Sequence, residues 1–316
     1  MEEYRHQVIG GTIRRDSVVP ALAAACIWIA VPTHAQNRGV YPLGMNAINS
    51  GVMPESTFTY SNQFLLYTRD EAKDNEGNTL PVTGNHSVIL DMNMITWASQ
   101  ERILGARYAA SATLPYAQND LTSDLQGHLS GGSGFGDSYY VPVMLGWSFT
   151  RAAVRVMSGF LAPTGRFSAG ANDNVGSGYW TNALSSGQTF YLTGDKRLTL
   201  SAFQMYEFHT VQQGTGVHPG QTFSLDYSLL YSLASSRRFQ LQGGPAGYEQ
   251  RQTTARTTPG ITVAQSEERY AINALGFALF GILPKRTTVG FRYFKEFADR
   301  ATFQGSSLQV VASIGL

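Results

Sequence analysis

The sequence predicts an all-β fold: a transmembrane, antiparallel up-and-down β-barrel of about twelve strands. Three observations carry this prediction. Side chains alternate apolar and polar with a period of two along most of the chain. Connections between the alternating stretches are in turn short and long. Beyond the N-terminal region, no apolar run approaches the ~20 residues of a membrane helix. The stretch TFSLDYSLLYSL (222–233) is the clearest case. Phe223, Leu225, Tyr227, Leu229, Tyr231 and Leu233 share one parity; Thr222, Ser224, Asp226, Ser228, Leu230 and Ser232 share the other. Successive side chains of a strand point to opposite faces, so this is a ribbon with one greasy face, roughly 40 Å long at about 3.3 Å per residue. Strands of a soluble sandwich are usually about 5–6 residues long.

Twelve such stretches follow one another. They are 58–68, 87–98, 106–117, 139–150, 151–162, roughly 178–193, 197–210, 222–233, 238–252, 269–282, 287–297 and 306–316. Short turns are expected at Thr150-Arg151, Gly194-Asp195, Ala234–Ser236 and Leu283-Pro284. Long polar loops are expected over 70–85, 118–137, 163–177, 211–220 and 253–268. Short turns at one rim and long loops at the other mark an outer-membrane barrel. Tyr139, Tyr140, Trp147, Phe149, Tyr179, Trp180, Tyr191, Tyr206 and Phe208 lie near strand ends, where girdles at the membrane interfaces are expected. Leu316 ends the chain on the apolar parity, where an aromatic residue is usual.

Composition agrees. Of 316 residues only 14% are charged, against about 25% in ordinary soluble domains, and the net charge is +1. Nothing in that balance suggests a nucleic-acid partner. Residues 1–35 read as a cleaved export signal, with Arg5, Arg14 and Arg15 before the apolar run 18–31 and Thr33-His34-Ala35 at its end. Its removal would take away Cys26, the one cysteine. Lipidation at Cys26 is disfavoured because an apolar run continues past it. A cysteine-free exported chain suits the envelope of a Gram-negative bacterium. Residues 36–56 lack any sustained period and contain Pro42, Gly44, Gly51 and Pro54. They form either an N-terminal tail or a plug folded into the lumen, and 57–316 form the barrel.

Charges on the polar parity of a membrane barrel belong inside, because on the lipid face near the midplane they are unfavourable. Asp91, Arg107, Arg155, Glu207, Asp226, Arg292 and Glu296 are therefore the candidate lumen residues. Two readings stay open: an ion-pair network that fills a narrow barrel, and a constriction that selects permeants. Lys295 falls on the apolar parity and is expected near an interface. No catalytic motif appears. His86, His128, His209 and His218 show no metal-ligand spacing, and neither a nucleophile elbow nor a P-loop is present. The one foothold for an enzyme, a lipid hydrolase of the outer membrane, is Glu207 with His209, two residues apart on one face. That reading requires a serine within about 3 Å of His209. The sequence is read as a non-enzyme with no cofactor.

Several patches also form an ordered series: GFGDSYYVPVMLGW (134–147), APTGRF (162–167), NVGSGYW (174–180), PGQTFSLDYSLLYSL (219–233), GGPAGYEQRQTT (243–254) and FRYFKEFADRATFQGSSLQV (291–310). In order and spacing this series resembles the MetA-pathway of phenol degradation family, over roughly 40–316. Asp137, Pro163, Thr164, Gly165 and Trp180 match its signposts, while ALFGILPKRTTV departs from a usually more polar strand pair. The resemblance implies an outer-membrane barrel passing small hydrophobic, aromatic compounds. It brings lipid, permeant and the barrel assembly machinery as partners, and no catalytic residues. A structural or adhesion barrel with a blocked lumen is the alternative.

Overall fold

The structure, a computed structural model, describes residues 38–124, 127–260 and 269–316; the expected export signal and Cys26 lie outside the described residues. The strands are β1 (Phe58–Lys73), β2 (Thr79–Ile103), β3 (Ala106–Ser123), β4 (Gly127–Phe135), β5 (Ser138–Ser148), β6 (Ala152–Ala162) and β7 (Thr181–Tyr191). They continue as β8 (Leu198–His209), β9 (Thr222–Ser235), β10 (Gln240–Gln252), β11 (Ala271–Leu283), β12 (Thr287–Glu296) and β13 (Thr302–Gly315). All strands but β4 make a closed 12-strand antiparallel barrel, in which β13 returns to pair with β1 through Phe64↔Val310. Full closure leaves no edge strand among them, as a membrane requires.

β4 arises from a change of partner. β3 pairs with β5 through Arg107–Thr113 and with β4 from Tyr116 to Ser123. Between the two ladders stands Pro115, which has no N–H to give; its carbonyl accepts the Gly136 N–H at 2.9 Å. The hairpins at the long-loop rim reach further than the sequence predicts. Segment 70–85 is mostly strand, closed by a turn in which Asp74 accepts the N–H groups of Glu76 (3.0 Å) and Asn78 (2.7 Å). Segment 118–137 likewise carries the end of β3 and all of β4. Beyond the rim both faces of a hairpin meet water, so the two-residue alternation that marks a strand fades there.

Inside the membrane band the parities are as chemistry dictates on most strands. On β9, Leu229, Tyr231 and Leu233 are exposed, while Thr222, Ser224, Asp226 and Ser228 are buried in the interior. β5 differs. The β5–β6 register shifts between Tyr140 and Val143, around Pro142, and the extra residue exchanges the faces. Val143 is thereby exposed, Val141 is buried, and Tyr139 packs on the inner core. Tyr139 and Tyr179 are thus interior residues rather than girdle residues, whereas Tyr140, Phe149, Trp180 and Phe208 are exposed.

Side chains from residues 41–53 pack in the interior. Tyr41, Met45 and Met53 pack with Met92, Phe203 and Met205; Ile48 packs with Tyr248 and Phe294. Each such buried side chain contributes about 1.5–3 kcal/mol. Two glycines permit the closest approach. A Cβ on Gly187 of β7 would lie 1.9 Å from the Ser50 carbonyl oxygen, and one on Gly51 would lie 2.0 Å from that of Ala153. Only a residue without a side chain fits where backbone meets backbone at that range.

Candidate functional site

The interior site forms where residues 38–56 meet charged side chains of the wall. Glu207 on β8 is buried; its Oε1 accepts the Tyr41 N–H at 2.9 Å and its Oε2 accepts the Thr222 hydroxyl. Asp226 on β9 takes three donors from the segment: the Gly44 N–H at 2.9 Å, the Asn46 N–H at 3.1 Å and the Tyr41 hydroxyl. Glu296 at the end of β12 meets the Arg38 guanidinium at 3.2 Å. It also accepts the Tyr248 hydroxyl (3.2 Å), the Gly305 N–H (2.8 Å) and the Tyr67 hydroxyl. A carboxylate in a protein interior must have its lone pairs satisfied, and here donors of residues 38–46 satisfy much of that need.

Cations complete the arrangement. Arg155 on β6 donates from Nη2 to Asn46 Oδ1 at 3.0 Å. Arg107 on β3 holds the far end of the segment, donating to the carbonyls of Pro54, Glu55 (3.1 Å) and, on its own wall, Ser99 (2.9 Å). Arg292 on β12 is buried, and its Nε and Nη1 have no hydrogen-bond partner among the described residues. In the β12–β13 connection, Asp299 is buried with Oδ1 accepting the Asn273 N–H at 2.9 Å. Burial first, and then the charge of Glu296, pushes the Asp299 carboxyl up to about 8.

Asp91 does not belong to this site. It stands on the outer face of β2, on one parity with the exposed Ile89, Ile95 and Trp97, and accepts a hydrogen bond from Asn62. The parity rule inverts on β2 because its inner face packs against the core: Met92, Thr96 and Ala98 are buried there. Lys295 lies exposed on the outer parity near the end of β12. Glu207 and His209 do share the inner face, yet the His209 ring meets the Thr181 hydroxyl (2.8 Å), and among the described residues no serine is its partner and the hydrolase constellation is not assembled.

The signpost residues gather at the long-loop rim. Asp137 Oδ1 accepts the Gly165 N–H at 2.9 Å, and Oδ2 accepts the Ser177 N–H (2.8 Å) and hydroxyl (2.6 Å). The Thr164 hydroxyl, next to Pro163, accepts the Ser138 N–H at 2.9 Å. These contacts tie the 163–177 loop to the start of β5. Trp180 is exposed beside Phe160, with ring centroids 6.0 Å apart, as an outer girdle residue. Sequence reasoning missed Arg38, Tyr41 and Asn46. The one available signal was that three carboxyls on inner parities need donors, and the preceding segment supplies them.

The family described as "Putative MetA-pathway of phenol degradation" matches residues 69–311. Among solved structures, the COG4313 outer membrane channel from Pseudomonas putida F1 is similar in fold. Its TM-score is 0.70 at 11% identity, over 87% of this chain and 99% of that one. The beta domain of the Bordetella autotransporter BrkA is also similar, with a TM-score of 0.53 at 10% identity, over 83% of this chain and 100% of that one. No curated protein matches the chain in sequence. The closed barrel with its apolar outer face places the protein in the outer membrane of a Gram-negative bacterium. With the family match spanning most of its length, the chain belongs to the MetA-pathway of phenol degradation family.

Proposed function

We propose that the protein is an outer-membrane channel for small hydrophobic compounds, foremost single-ring aromatics, and that residues 38–56 are its plug. The observation that carries this reading is the mixed character of the interior. Tyr41, Phe203, Met205 and Tyr139 offer an aromatic and thioether surface, while Glu207, Asp226 and Glu296 hold the segment by polar contacts. An apolar solute gains from the first set of groups. The second set keeps the segment seated when no solute is present. Family membership and the likeness to a solved outer-membrane channel support the reading. In this account Arg107, Arg155 and Arg292 position the segment and its acidic partners, and no covalent chemistry occurs.

The packed interior also favours a second reading, a structural barrel whose lumen stays blocked. Uptake separates the two. Liposomes holding the purified protein are expected to take up phenol and cresol faster than protein-free liposomes of the same lipid. Equal rates would reject the channel and leave the blocked barrel.

A further inference from the structure

The outer face of β1 and β2 carries a polar cluster in the middle of its apolar band. The Tyr60 hydroxyl donates to Asn93 Oδ1 at 2.6 Å. Asn62 Nδ2 donates to the same oxygen at 3.3 Å and also to Asp91 Oδ1. Toward the short-turn rim the same face continues with Phe58 and Trp97, and toward the other rim with Leu66 and Ile89. Lipid headgroups lie at the rims, and acyl chains offer neither donors nor acceptors. The cluster does not hold the strands together either, since the β1–β2 register runs unbroken from Phe58 to Arg69.

Two groups of the cluster remain unused. Asn93 Nδ2 donates to nothing and Asp91 Oδ2 accepts from nothing among the described residues. Left against hydrocarbon, an amide donor and a carboxyl oxygen are both unfavourable. The outer residues beside the cluster are small on one side and bulky on the other: Ala312 of β13 pairs with Asn62, whereas Leu114 and Tyr116 of β3 pair with Asn93 and Asp91. Small residues beside polar ones allow two membrane walls to approach closely and bond across the contact.

We propose that the β13–β1–β2–β3 face is an interface between two copies of this chain. The unused donor and the unused acceptor sit on one face two residues apart. A two-fold axis therefore satisfies all four groups at once: Asn93 of each copy donates to Asp91 of the other. A partner of another sequence would need to supply both complements separately, whereas a second copy carries them already. The inference does not depend on what the barrel transports.

Subunit counting by single-molecule photobleaching in liposomes of phosphatidylethanolamine and phosphatidylglycerol tests it, across a dilution series in lipid. The full barrel is expected to bleach mainly in two steps at high protein-to-lipid ratio and in one step on dilution. Asn93→Leu with Asp91→Leu is expected to move that transition to about tenfold higher protein density. Ala312→Trp leaves the polar cluster intact but adds bulk between the walls, and is expected to move it in the same direction. Gln204→Leu, in the neutral outer cluster of Ser186, Gln188 and Gln204 on β7 and β8, is expected to leave it in place. One-step bleaching of the unaltered protein at every ratio would overturn the proposal. So would an unmoved transition in Ala312→Trp and in the double variant, each with barrel strand content intact by circular dichroism.

Discussion

Gly187→Leu is expected to displace residues 48–53 from the barrel interior and to raise the conductance of the protein in planar bilayers. At Gly187 a Cβ would stand 1.9 Å from the Ser50 carbonyl oxygen, and the obstacle is backbone, which cannot rotate away. The same stretch is also held two residues further along β7, where Gly51 donates its N–H to the Thr189 hydroxyl at 3.0 Å. Overpacking of this kind costs about 1–3 kcal/mol, which changes a displaced population by about fivefold to a hundredfold. The wall itself has reason to survive, because its hydrogen bonds run between strands: β7 pairs with β6 and β8 along its length. Conductance unchanged from that of the unaltered protein would show that these residues do not close the passage.

Asp226→Leu is expected to loosen residues 41–46 more than any other single change in the wall. Asp226 accepts from the Tyr41 hydroxyl and from the N–H groups of Gly44 and Asn46, and its removal leaves those donors without their acceptor. Breaking a buried, hydrogen-bonded charge arrangement costs about 3–5 kcal/mol. Amide hydrogen exchange over residues 40–48 reads the effect directly. Protection there is expected to fall by at least about a hundredfold, while β9 stays protected by its two neighbours. Asp226→Asn, which keeps one acceptor oxygen, is expected to lose less. Unchanged protection in Asp226→Leu would mean that apolar packing alone seats the segment.

The strands were legible because lipid and interior impose different chemistry on the two faces. On β9 and β13, hydroxyls and amides such as Ser224 and Gln309 turn inward while Leu229 and Val310 turn outward, so a period of two stands out. Where that contrast weakens, the reading fails for identifiable reasons. On β2 the inner face is built from Met92 and Ala98 against the inserted segment. The outer face carries Asp91 and Asn93, so polarity points the wrong way. On β5 the bulge around Pro142 exchanges the faces midway, and parity counted across it misplaces Tyr139 and Val141. In the hairpin over Asp70–Pro81 no residue is buried on either face, and the alternation that would reveal strands is not needed.

The interior site was legible in part. Glu207, Asp226, Arg292 and Glu296 stand on polar parities of strongly alternating strands, and the structure places all four in the interior. What they bind was not legible. The partners lie 166 or more residues earlier in the chain, within a segment without periodicity, and pairing across such a separation leaves no local trace. Arg38 meeting Glu296, 258 residues away, is the extreme case.

The most direct test of the central claim, that residues 38–56 close a passage for small aromatic solutes, is to lock them in place. Ala47 and Ser228 touch through the Ser228 hydroxyl and the Ala47 carbonyl at 2.5 Å, deep in the interior. With Ala47→Cys and Ser228→Cys oxidised to a disulfide, phenol uptake into liposomes is expected to fall to the rate of protein-free vesicles and to return on reduction. Uptake by the oxidised protein as fast as by the reduced one would contradict the account.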